Sequence, residues 1–73
     1  MTLEQYNQLT PYREISVMCA NEGVYVGGAD GLIPVYETIF QTTIKRTCSN
    51  CISDMLIRTA GALRRYDKEN GII

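Results

Sequence analysis

Residues 47–66 read TCSNCISDMLIRTAGALRRY, and whether this run is a helix decides the fold. Ile52, Met55, Leu56, Thr59, Ala60, Leu63 and Tyr66 recur at intervals of three and four, the period of one helix face. Asp54 and Arg58 stand four apart on the far side, the spacing of a favourable i,i+4 pair. Ser49 or Asn50 is a good N-cap, and Asn70-Gly71 supplies the stop. The run opens on C-x-x-C, Cys48 and Cys51, which admits three readings. A zinc site requires four ligands, and with no histidine in the chain the other two would be Cys19 and a carboxylate such as Asp54. A redox pair gains from a helix N-terminus and from nearby Lys45 and Arg46, yet thioredoxin-type motifs follow a strand, and here an amphipathic helix precedes. The third reading fits the helical wheel best: Cys48 and Cys51 pack as small apolar groups at the core edge, and Cys19 does the same on its own helix. We therefore expect a helix start, with no metal and no cofactor.

Upstream of this run, Leu32, Tyr36, Ile39, Phe40 and Thr43 fall on one side of a second helix, flanked by Ile33, Val35 and Ile44. Pro34 sits near its start, and Lys45-Arg46 closes it with the sign the helix dipole favours. Its apolar arc is wider than one neighbour covers. The preceding GVYVGGADGLIP carries four glycines and a proline and reads as an irregular connector. Val24-Tyr25-Val26 at its centre either plugs the core or adds as a short strand to another chain's sheet edge. Further upstream, Thr2 and Gln5 form a capping box before Leu3, Tyr6 and Leu9. Thr10-Pro11 reads as a second start, with Tyr12, Ile15, Met18 and Cys19 on one face and Gly23 as the stop. A hairpin of ISVMC and VYV around ANEG competes with this helix, but the helical period fits more positions. The expectation is an all-α single domain over 1–73: a bundle of three helices, Pro11 marking a candidate break in the first, with a Gly-rich loop at about 23–34.

A chain of 73 residues makes one domain at most, and its core rarely supplies more than roughly 3–5 kcal/mol. Hydrophobic residues at 45% make it too apolar for a disordered chain. The start MTLEQYNQL lacks a basic, then apolar, leader, and no run is long enough to span a bilayer. We expect neither secretion nor membrane insertion, and three cysteines fit a reducing compartment better than a disulfide framework. The net charge of −1 hides an asymmetry. Residues 1–44 carry five acids against one base, and residues 45–73 carry six bases against three acids. Such polarity suits an anionic partner or head-to-tail self-association, although helix ends also prefer these signs.

The absence of histidine removes serine–histidine and cysteine–histidine catalysis, and GGADG matches neither phosphate-loop pattern, so no enzyme is expected. Arg58, Arg64, Arg65 and Lys68 on the last helix, after a short link from TIKR to SNC, keep open a helix-turn-helix DNA-binding regulator. The acidic balance and Asp54 weigh against nucleic acid. Ile57 projects away from the core stripe, with Gly61, Arg64 and Lys68 around it. Together with Val24, Tyr25, Val26, Ile72 and Ile73 it leaves more apolar surface than three short helices hide, so these are the expected docking anchors, with Arg64 and Lys68 as polar rim.

The layout VYETIFQTTIKRTCSNCISDML, a Y-x-x-I-F helix running into C-x-x-C-I, resembles short proteins of the crAss-like tailed phages of gut Bacteroidota, nearest to a small auxiliary capsid protein. The resemblance covers about residues 32–66. It implies a structural virion component, located in the virion or the host cytoplasm, whose partner is a larger protein assembly such as capsid protein. It carries over no enzymatic site.

Overall fold

The structure, a computed structural model, describes residues 1–23 and 27–72. Its regular elements are all helical: α1 (Leu3–Leu9), a 3₁₀ turn (Thr10–Tyr12), α2 (Arg13–Glu22), α3 (Leu32–Phe40) and α4 (Ser49–Glu69). The all-α expectation holds, with α1, the turn and α2 forming the broken first helix. Val24-Tyr25-Val26 and Ile73 lie outside the described residues, while 13–22 is helix and not a hairpin strand.

The capping box is present: the Thr2 hydroxyl accepts from the Gln5 N–H at 3.1 Å, and the Gln5 side chain accepts from the Thr2 N–H at 3.0 Å. Thr10 is not a fresh N-cap. Pro11 lacks the N–H that would bond the Asn7 carbonyl, and the Thr10 hydroxyl donates to that carbonyl instead, at 3.1 Å. The helix tightens and turns here without stopping. On α2 the buried face is Ser16 and Cys19, with Tyr12 and Ile15 beside them; Met18, expected inward, is 36% exposed. Gly23 ends the helix with φ 73°, donating to the Cys19 carbonyl at 2.7 Å.

α3 stops at Phe40, earlier than its apolar pattern suggested, so Lys45-Arg46 lies in the connector. Gln41 takes a left-handed conformation, φ 52°, and the Glu37 side chain holds the exit by accepting from the Ile44 N–H at 2.9 Å. Thr42 and Thr43, β-branched and stiff, do not favour resuming the helix. Phe40, expected in the core, is 40% exposed.

α4 begins after Cys48, which takes the N-cap place expected of Ser49 or Asn50: its Sγ accepts from the Cys51 N–H at 3.2 Å. Cys48 and Cys51 are half-buried and joined as a disulfide, Cα to Cα 5.2 Å, which corrects their reading as separately packed free thiols. Cys19 is free and buried as expected. The predicted stripe is inside: Ile52, Met55, Leu56, Thr59 and Leu63 are buried, and Ala60 and Tyr66 half-buried. At the far end Gly71 takes φ 69° and donates to Lys68 at 3.4 Å, while the Ile72 N–H reaches the Asp67 carbonyl at 2.8 Å. This is a Schellman stop at the expected Asn70-Gly71.

The core gathers Leu9 of α1, Cys19 of α2, Ala29, then Leu32, Ile33 and Tyr36 of α3, around Ile52, Met55, Leu56 and Leu63 of α4. Fully burying a leucine stabilises by roughly 1.5–3 kcal/mol, so these few side chains dominate the fold. α4 packs chiefly along α2, and α3 lies against α1. The principal neighbour of α4 is thus α2 and not α3. Ser16 and Cys19 give α2 a small buried face that admits a close approach to α4, whereas α3 reaches the core through the larger Tyr36.

Candidate functional site

α3 and α4 share the core through their side chains while their backbones stay apart, and an open groove of about 790 Å³ lies between them. Tyr36, Phe40 and Ile44 line one side, and Met55, Ala62 and Arg65 of α4 the other, with Cys51 and Asp54 toward the start of α4. Tyr36 and Phe40 pack with ring centroids 4.5 Å apart and planes tilted by 37°, so the aromatic wall is pre-formed. Arg58 and Arg65 stand seven residues apart along α4, about 10.5 Å of helix, and set the charge of that wall. The connector is also pinned: Arg46 lies 4.0 Å from the Glu37 carboxylate. Residues 41–48 form this connector, eight residues against the three or four of a helix-turn-helix bend.

Of the anchors expected from sequence, Ile57 is 43% exposed, Ile72 is 56% exposed, and Arg64 and Lys68 are exposed on α4. Val24, Tyr25, Val26 and Ile73 lie outside the described residues. Ile57, Gly61, Arg64 and Lys68 follow one another at helical spacing, and Gly61 also lines the groove. Patch and groove therefore meet at Gly61. The groove itself was missed as a site; its signal was the broad apolar arc of Tyr36, Phe40 and Ile44, wider than one neighbour needs.

Gly61 lies in the middle of a 21-residue helix, exposed, and a Cβ placed there would meet nothing within 4 Å. Glycine at such a position destabilises a helix by roughly 0.5–1 kcal/mol relative to alanine. No packing within the described residues requires it.

A second cluster joins the ends of the chain. Asp67, only 3% exposed, accepts from the Tyr6 hydroxyl at 2.5 Å and from both terminal nitrogens of Arg13, at 2.7 and 3.3 Å. Arg13 also donates to the Tyr6 oxygen at 2.7 Å, and the Tyr6 ring stacks on Tyr66 at 4.3 Å. The Arg13 and Tyr6 hydrogen bonds hold the Asp67 carboxyl below its usual range. The Asp67 bond and burial push the Tyr6 phenol up, and the Asp67 bond raises Arg13 further. The shifts take Asp67 further below pH 7 and Tyr6 and Arg13 further above it, so at neutral pH the three meet as carboxylate, phenol and guanidinium. This cluster is a structural clamp.

Among the described residues no set of three or more His, Cys, Asp or Glu is placed to hold a metal ion, and no helix is long and apolar enough to cross a membrane. Compared with known family models, curated proteins and solved structures, the chain matches none.

Proposed function

We propose that the chain is a non-enzymatic assembly module that docks onto a larger protein through the α3–α4 groove and the α4 face bordering it. The observation that carries this reading is Gly61: an exposed mid-helix glycine, with open space above it, at the junction of a groove of mixed aromatic and polar lining and an Ile57–Arg64–Lys68 patch. A partner backbone lying close over α4 gives such a glycine a purpose that the fold does not. The aromatic wall of Tyr36 and Phe40 supplies the anchoring area, and Arg58, Arg64, Arg65 and Lys68 form the rim that tunes association. The sequence resemblance points to a phage virion shell as the assembly.

Gly61→Ala and Gly61→Leu separate folding from docking. Gly61→Ala should raise unfolding stability by about 0.5–1 kcal/mol, since the added methyl meets open space and favours helix. Both variants should weaken association with the assembly that copurifies with the native chain, Gly61→Leu by at least about tenfold, with unchanged circular dichroism. Full docking by Gly61→Leu would remove the groove from the interface. A complex with duplex DNA whose affinity collapses between low and moderate salt would instead favour the regulator reading.

A further inference from the structure

We propose that Cys48 and Cys51 form a reversible dithiol–disulfide site that exchanges with small-molecule thiols, with Cys48 as the attacking sulfur and Cys51 as the resolving one. This goes beyond the docking role and does not rest on it. Three observations carry it. The two residues are bonded, with Cα atoms 5.2 Å apart, so the pair opens and closes without moving the backbone far. Cys48 occupies the N-cap of the longest helix, its Sγ accepting the Cys51 N–H at 3.2 Å, which is the arrangement that stabilises a thiolate there. The first turn of α4 carries no acidic residue to oppose that charge. Both residues are half-buried, unlike Cys19, and Cys51 faces the open groove, so an external thiol can reach the pair.

Thioredoxin-type motifs follow a strand, whereas α3 precedes this one. The physical requirement is narrower: a helix N-terminus, two sulfurs within bonding reach, and access. On reduction, an external thiolate attacks Cys48 Sγ, forming a mixed disulfide and expelling Cys51 as a thiolate that takes a proton from water. A second external thiolate then attacks the external sulfur of that mixed disulfide. It releases Cys48 as a thiolate and leaves the external thiol as its own disulfide. Oxidation runs the same steps backward, with the disulfide of the external thiol as electron acceptor. The net change is two electrons and one proton per bridge, because Cys51 is protonated and Cys48 stays a thiolate.

The test uses the full native chain and glutathione. Millimolar reduced glutathione should open the bridge within minutes without loss of helix signal, and an excess of oxidised glutathione should restore it. After reduction and removal of glutathione, iodoacetamide labelling mapped by peptide mass should modify Cys48 at pH 6.5 at least ten times faster than in urea, where the helix is gone, with Cys51 slower. Cys51→Ala should trap glutathione on Cys48 as a stable mixed disulfide. A bridge that survives glutathione in the folded chain but opens in urea would make it a structural staple and overturn the proposal. So would a Cys48 that labels no faster folded than unfolded, a measurement on the wild-type chain that needs no variant to fold.

Discussion

Ser16 and Asp67 are the two polar side chains whose burial costs the fold most if left unanswered, and they are answered differently. Ser16 is fully buried on the α2 face, its hydroxyl without a hydrogen-bond partner among the described residues. Ser16→Ala removes that unmet group while keeping the small size that lets α2 approach α4. We expect a gain of about 1 kcal/mol in denaturant unfolding; a loss would mean that the hydroxyl is bonded in solution. Asp67 has partners, and they set the pH dependence. Its folded carboxyl titrates below the unfolded one, so the clamp contributes fully above about pH 4 and is lost as pH falls through the folded value. Tyr6 has the opposite sign: its raised phenol contributes below about pH 10 and the contribution disappears as pH rises beyond. Asp67→Asn should flatten the acid limb of a melting-temperature profile, and Tyr6→Phe the alkaline limb. Asp67 was partly legible in sequence, since position 67 continues the Leu56, Thr59, Leu63 stripe by another turn. Its partners were not, because Tyr6 and Arg13 lie 61 and 54 residues away and no periodicity links them.

At the scale of elements, the long periodic segment was read most fully. The stripe of α4 predicts its buried face and its stop because 21 residues repeat one pattern. The end of α3 was misread for the reverse reason. Thr43 and Ile44 continue the apolar period past Phe40, while the stop depends on a side chain, Glu37, reaching the Ile44 N–H from seven residues back. Such a cap leaves no periodic trace. Gln41 at φ 52° is the weak point of that exit, since a residue with a Cβ holds a left-handed conformation at a cost of roughly 1–2 kcal/mol. Gln41→Gly should therefore stabilise the chain, by about 1 kcal/mol at most after the added unfolded-state entropy, as read by denaturant midpoint. If α3 instead extends through Lys45 in solution, the same change should destabilise, because glycine would then interrupt a helix. The N-cap was missed by one residue because sulfur is a weak acceptor and Ser49 and Asn50 are better candidates by type.

The whole molecule is a small globule, 36 × 26 × 15 Å along its principal axes, with much surface for its volume. A body that small cannot enclose all its apolar residues, which is why Val17, Phe40, Ile57 and Ile72 remain outside. That surplus was legible from composition and length, and so was the exposure of Ile57 and Ile72; the exposure of Phe40 was not, because helix pairing depends on which faces carry small residues. The clamp of Tyr6, Arg13 and Asp67 also dictates an order of events. α4 is built from local contacts and forms within its own length, whereas the Tyr6–Asp67 bond must close 61 residues of chain. We expect that closure to come late, after the barrier that limits folding is crossed. Tyr6→Phe should then leave the refolding rate within about twofold while speeding unfolding by roughly fivefold in stopped-flow chevrons. The joint between the two ends of the polypeptide is in this sense a latch on the way out: it governs how long the native protein lasts once made, and hardly how fast it is made.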